Sequence, residues 1–145
     1  AVLQDQLKQV LPVAGSILSN PLDTPNMATP DAIAAGIKVL SGADDIDMIV
    51  YHLGFHPISK WGVGFFSAKE QIQKMVDAMK AGLGSSQKAL LIALRVPQTL
   101  EGMQEFLTAQ EVFVENGFPV FHNMGDLAKA MQRVISWNIA KKETL

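Results

Sequence analysis

The stretches IDMIVYHL at residues 46–53 and ALLIALRV at residues 89–96 decide the fold class of this protein. Each is a short, mostly aliphatic run, and the first is bounded by Asp45 and Gly54, residues that favour turns. A continuous apolar run of this length is typical of a strand that is covered on both faces, as the strands of parallel sheets are. The shorter run FPVFH at residues 118–122 predicts a third such strand.

Helical segments separate these three runs. Thr29 and Pro30 are the predicted N-cap and first residue of the helix that precedes the first strand. Ser67 and Glu70 form a predicted capping box at the start of the next helix, and residues 99–115 form another helical pattern. The alternation predicts an α/β fold, a small parallel sheet with helices on both faces, joined by right-handed crossovers.

The predicted sheet is smaller than is usual for this class. Three strands are predicted, whereas the mean sheet has about five or six, and one more strand could lie at residues 15–18. The length of 145 residues is that of a single domain. We therefore expect residues 1–145 to form one domain that is the latter, incomplete part of a larger α/β domain.

The composition argues against several classes of function. The formal net charge is −2 and the basic residues are scattered, so the basic patch of a nucleic-acid-binding protein is missing. No apolar run approaches the roughly 20 residues of a membrane-spanning helix. The chain has no cysteine, which excludes a disulfide, a thiol nucleophile and a thiolate metal site. We expect neither nucleic acid nor membrane as a partner.

Unusual polar residues lie where the predicted strands end. His52 and His56 lie around the end of the first strand, Arg95 near the end of the second, and His122 at the end of the third. Ligands of open parallel sheets bind beyond the carboxyl ends of the strands, so these residues indicate an anion or phosphate site. A metal site is disfavoured because no carboxylate stands at ligand spacing. Alternatively, the histidines only hydrogen-bond loop carbonyls.

Two further segments allow two interpretations each. In Asn20-Pro21-Leu22-Asp23 the proline holds Asn20 extended and the Asp23 side chain can bond nearby backbone donors, which predicts a rigid turn or a ligand loop. The aromatic segment at residues 55–66 is a lid or docking surface, or a loop that folds its rings onto the core. No dinucleotide fingerprint, phosphate-binding P-loop or nucleophile elbow is present.

Taken in order, three strings resemble the ligase module of NDP-forming acyl-CoA synthetases, the superfamily of succinyl-CoA synthetase. LPVAGSILSNPLD at 11–23 is similar to the family's Asn-Pro-x-Asp loop, and DDIDMIV at 44–50 is similar to its Val-Asp strand start. VFVENGFPVFHNMGDLAKAMQRVI at 112–135 is similar to its Gly-Ile-Pro-Val ending. The resemblance spans residues 3–137 and rests on Asn20, Pro21, Asp23, Asp47, Gly117, Pro119, Ala128 and Ala130.

The resemblance implies a flavodoxin-like domain of the succinyl-CoA synthetase type. Such enzymes join a carboxylic acid to coenzyme A while a nucleoside triphosphate is cleaved to its diphosphate and phosphate. The complete enzyme would use CoA, ATP or ADP, and Mg²⁺, and this chain would have the CoA-binding and ATP-grasp domains or subunits as partners. A cytoplasmic location and a possible homo-oligomer are implied as well.

The family's reactive strings are missing from this chain. Neither the phosphohistidine string, Ser/Gly-His-Thr/Ala-Gly, nor the Thr-Asn-Gly-Gly-Gly loop occurs, and no histidine here matches the phosphohistidine position. We therefore predict no catalytic residue and no activity of the chain alone. It would supply scaffold and part of a phosphate or nucleotide site whose rim consists of Asn20, Asp23, His52, Arg95 and His122. The alternative is a non-catalytic binding or subunit-assembly module that retains the fold.

Overall fold

A computed structural model describes residues 2–12, 14–24, 29–54 and 67–143. Helices and strands alternate along the chain after an N-terminal helix and a short hairpin, in the order predicted from the sequence. The elements are α1 (Val2–Val10), β1 (Ile17–Leu18), β2 (Leu22–Asp23), α2 (Pro30–Gly42), β3 (Met48–Gly54), α3 (Ala68–Leu83), β4 (Ala89–Arg95), α4 (Leu100–Glu115), β5 (Val120–Phe121) and α5 (Met124–Glu143).

The main sheet has three parallel strands in the order β3-β4-β5. All seven residues of β3 pair in register with β4, from Met48 opposite Ala89 to Gly54 opposite Arg95. The short β5 pairs with the middle of β4. Because successive crossovers of one hand place their helices on one face of a sheet, α3 and α4 lie side by side, and α2 packs along α3.

The two faces of the sheet differ in burial. Side chains alternate along a strand, and on the first face Ile49, Tyr51 and Leu53 of β3 are all buried. Together with Leu90, Ile92 and Leu94 of β4 they form one core with α2, α3 and α4. On the second face Val50 is half-buried and His52 is exposed. Helix α5 lies on this second face, where it borders a groove that includes Val50.

Two helix starts are as the sequence predicts, and a third also has a local cap. The Thr29 side chain accepts a hydrogen bond from the Ala32 N–H, and Pro30 is the first helical residue of α2. Ser67 and Glu70 form the predicted capping box of α3. Helix α4 has Thr99 as its N-cap. Hydrogen bonds between residues close in sequence therefore mark the start of three helices.

Helices α2 and α3 are in unusually close contact. A Cβ atom added at Gly82 of α3 would lie 2.7 Å from the Ala34 carbonyl oxygen and 2.9 Å from the Ile37 Cβ of α2. The Ser41 hydroxyl donates to the Gly82 carbonyl oxygen at 3.3 Å. The absence of a side chain at Gly82 lets the two backbones approach, so α2 is locked to the first face of the sheet.

The structure corrects two expectations about the sheet. Residues 17–18 do form a strand, but it pairs antiparallel with β2 in a separate hairpin and adds nothing to the main sheet. Strand β3 was expected to be covered on both faces, yet only its first face is buried. The physical reason is that three helices cover the first face, whereas α5 is the single helix found on the second face in the described part of the chain. No helix among the described residues is long and apolar enough to cross a membrane.

Burial gives Tyr51 a distinctive titration. It lies on the buried first face, and the loss of solvation raises the pKa of its phenol to about 12. Tyr51 is the single tyrosine of the chain, so its ultraviolet absorbance reports it alone among tyrosines. In the folded protein we expect little phenolate near pH 10–11 and a midpoint near pH 12, whereas the urea-unfolded chain should titrate near pH 10.

The same shift predicts a loss of stability in alkali. The raised pKa of Tyr51 means that the folded state retains a proton which the unfolded state releases above pH 10. This contribution to stability is complete below pH 10 and is lost as the pH rises toward 12. A Tyr51→Phe variant should lack that part of the pH dependence in urea titrations, and a folded-state midpoint near 10 would contradict the burial of the ring.

Candidate functional site

The carboxyl ends of β3, β4 and β5 lie at one edge of the sheet, where helices α3, α4 and α5 begin. This is the edge at which the sequence places its candidate residues. The structure describes five of the candidate residues: Asn20, Asp23, His52, Arg95 and His122. His56 lies outside the described residues. The aromatic segment at 55–66 lies outside them as well.

The register places His52 and Arg95 on the same face. His52 pairs with Ala93, and Gly54 pairs with Arg95, so both side chains project from the second face near the ends of neighbouring strands. Both residues are exposed. A Cβ atom added at Gly54, the register partner of Arg95, would meet no atom of the described residues within 4 Å beyond its chain neighbours. The guanidinium forms no hydrogen bond or ion pair with any residue of the described ranges.

His122 lies on the other side of the sheet. Its Nε2–H donates to the Gln110 Oε1 at 2.6 Å, and its ring makes an edge contact with Phe106 at 5.2 Å between centroids. Both partners belong to α4, which packs on the first face. His122 is therefore engaged with a local side chain and is separated from His52 and Arg95 by the sheet. The histidine alternative of the sequence analysis, a local hydrogen bond, describes its observed contact, with an amide side chain in place of a loop carbonyl.

The helix starts at this edge carry their own caps. The Thr99 hydroxyl accepts from the Gly102 N–H at 3.1 Å, and the Asn123 Oδ1 accepts from the Asp126 N–H at 2.8 Å. The Glu70 carboxylate accepts from the Ser67 N–H at 2.7 Å, and this bond holds the pKa of Glu70 below its ordinary value. A bound anion would compete with these groups, so Arg95 offers a more accessible positive charge than the helix ends.

Asn20 and Asp23 belong to the hairpin of β1 and β2, apart from the main sheet. Ile17 pairs with Asp23 and Leu18 pairs with Leu22, so Asn20 lies in the turn, next to a cis peptide bond to Pro21. The predicted turn is confirmed. Both polar side chains are exposed, and the hairpin packs against α1. Their proposed role in a ligand loop stays a prediction.

An apolar groove on the second face was not predicted from the sequence. It lies between Val50 of β3 and the inner side of α5, and its volume is about 440 Å³. Leu127 forms its buried floor, and Met131 and Ile135 lie along the helix that borders it. The apolar spacing of α5 could have indicated this side of the helix, but the neighbouring strand could not be named before the packing was known.

The described residues include no group of three or more His, Asp or Glu side chains that could hold a metal ion. The site that remains is an exposed arginine and an exposed histidine on the second face, which also holds the groove. Comparisons of the chain with protein-family models, with curated proteins and with solved structures found no match.

Proposed function

We propose that this chain is a domain or fragment of an NDP-forming acyl-CoA synthetase, in which it supplies scaffold and one wall of a phosphate or nucleotide site. The observation that carries the proposal is the Arg95 side chain, which is exposed at the carboxyl end of the central strand, on the face that also holds His52. A guanidinium suits this role because it can bind two phosphate oxygens at once.

The same proposal includes a flavodoxin-like fold of the succinyl-CoA synthetase type. A parallel sheet flanked by helices on both faces is compatible with the flavodoxin-like domain of succinyl-CoA synthetases. In this proposal other parts of the enzyme complete the domain. The CoA-binding and ATP-grasp partners would bring CoA, the nucleotide and its Mg²⁺, and the described residues of this chain would add anion binding without a catalytic group.

Titration calorimetry with inorganic phosphate, ADP, ATP and CoA tests the anion site. We expect at least one of the four to bind, and the Arg95→Gln variant to bind it about 10- to 100-fold more weakly, because a charge-assisted bidentate contact is lost. Arg133→Gln is the matched control, since Arg133 is an exposed arginine on α5 and its replacement should leave the affinity unchanged. Equal affinity of wild type and Arg95→Gln would contradict the proposed site.

The alternative function is a non-catalytic binding or assembly module. It is favoured by the last turns of α5, where Val134, Ile135, Trp137 and Ile139 are all exposed. Apolar residues grouped on a surface helix are typical of a face that contacts another protein. This alternative would be favoured over the synthetase if none of the four ligands gave heat of binding and the folded chain formed a stable complex with another protein.

A further inference from the structure

Strand β3 is an edge strand of unusual composition. Among the described residues its sole strand neighbour is β4, and the seven residues of MIVYHLG carry no lysine, arginine, aspartate or glutamate. Natural sheets protect such edges with charged residues, prolines or bulges because an open edge can pair with another chain. None of these devices occurs in β3, so the edge is suited to strand pairing.

The direction of the backbone groups can be deduced from the sheet. The Ile92 N–H donates to the Pro119 carbonyl oxygen at 2.9 Å, so the backbone N–H and C=O groups of Ile92 point toward β5. Those of its neighbours Leu91 and Ala93 point toward β3. In a parallel pair, a residue whose backbone N–H and C=O groups point toward the neighbouring strand is paired in register with a residue whose groups point away from that pair. Val50 pairs with Leu91 and His52 pairs with Ala93. The N–H and C=O groups of Val50 and His52 therefore point away from β4, to the outer edge.

We propose that β3 pairs antiparallel with β3 of a second copy of this chain, about a two-fold axis at Tyr51. In this register Val50 and the partner's His52 exchange two hydrogen bonds, and the symmetric pair adds two more. The register keeps the alternation of faces, so the buried first face of one copy continues into the buried first face of the other. With no charged residue in the strand, self-pairing brings no like charges opposite each other.

The second face adds apolar surface to the same junction. A two-fold axis perpendicular to the sheet keeps the second face of both copies on one side, so the two α5 helices lie on that side together. Helix α5 borders the groove next to Val50, and it carries the exposed residues Val134, Ile135 and Ile139. Pairing of two short strands is marginal in water without apolar cover, and these residues are available to supply it. The second copy is therefore a better occupant of the edge than a polar peptide.

Sedimentation over a range of protein concentrations tests the proposal. We expect a reversible dimer for the wild type, and a dissociation constant at least about tenfold higher for His52→Pro, which removes an outward N–H in each copy. Proline is tolerated where the N–H points out of an edge strand, so the sheet of each copy should remain intact. His52→Ala is the matched control, because it removes the same exposed side chain but retains the N–H, and it should still dimerise.

Hydrogen exchange gives a second measurement that needs no variant. The amides of Val50 and His52 should be protected at concentrations where the dimer forms and should exchange rapidly after dilution, whereas the amide of Ile92 stays protected throughout. A monomer at all concentrations would overturn the proposal. So would a dimer that His52→Pro leaves unchanged and in which the Val50 and His52 amides exchange rapidly. Calorimetric binding of phosphate or nucleotide is measured separately, so the proposed function can fail without affecting this result.

Discussion

Replacing Phe113 with alanine is expected to lower the free energy of unfolding by about 3–5 kcal/mol, the largest effect of any single change considered for this protein. Phe113 is 0% exposed, lies in the core between α4 and the sheet, and makes an edge contact with the Phe118 ring at 6.4 Å between centroids. Truncation removes both the buried apolar area and the ring contact, and it leaves a cavity between close-packed groups.

Leu107 is the matched control for this prediction. It lies on the same helix, but it is 56% exposed and takes no part in the core, so Leu107→Ala should change the stability by about 0.5 kcal/mol or less. Urea unfolding of the two variants and the wild type measures the difference. Similar losses for Phe113→Ala and Leu107→Ala would mean that the orientation of α4 on the sheet is wrong.

Placing valine at Gly82 is expected to destabilise the protein by about 3 kcal/mol, at the upper end of the range for overpacking. The added Cβ would come within 3 Å of the Ala34 backbone oxygen and of the Ile37 side chain, neither of which is the free end of a flexible group. Relief therefore requires that α2 move away from α3. Gly82→Ala should cost less, because a better helix propensity offsets part of the steric conflict.

Gly42 provides the comparison for Gly82. It is the last residue of α2, and a Cβ atom added there would meet nothing within 4 Å. Gly42→Val should therefore stay within about 0.5 kcal/mol of the wild type in urea unfolding. If valine were tolerated equally at both positions, the close approach of the two helices would be contradicted. Near-ultraviolet circular dichroism of the Gly82 variant would also reveal loosened packing around the core aromatics.

The proposed anion site and the edge of β3 are adjacent, since His52 belongs to both. Its side chain projects from the second face near Arg95, and its backbone groups point to the outer edge. The His52→Ala and Arg95→Gln variants therefore separate the two proposals. The first should retain dimerisation, because the backbone is unchanged, and the second should lose anion affinity without changing the sedimentation of the protein.

Local sequence signals predicted the order of helices and strands well. The capping residues Thr29 and Ser67 begin helices as expected, and the two long apolar runs are the paired strands β3 and β4. These features depend on the chemistry of a few neighbouring residues, so they can be deduced without the fold. The carboxyl-end rule also located His52 and Arg95 at one edge of the sheet, although their function stays a prediction.

Side-chain partners that depend on packing could not be deduced in the same way. The apolar spacing of residues 99–115 includes Leu107 and Val114, yet both are exposed, whereas Ala109 and Val112 of the same helix are buried. An apolar stripe on a helix defines a broad sector, and the line of contact within it is set by the angle at which the helix meets the sheet. The contact of His122 with Gln110 has the same origin, because it requires α4 to lie beside β5.

The sequence by itself determined the order of helices and strands, their approximate ends and the parallel character of the sheet, because these follow from periodicity, caps and crossover handedness. Only the tertiary structure decided which residues share a face. The pairing of Gly54 with Arg95 places Arg95 beside His52, and the position of α5 leaves Val50 next to a groove. Register and helix docking depend on the packing of residues far apart in the chain, and a shift of one position would exchange the two faces of a strand.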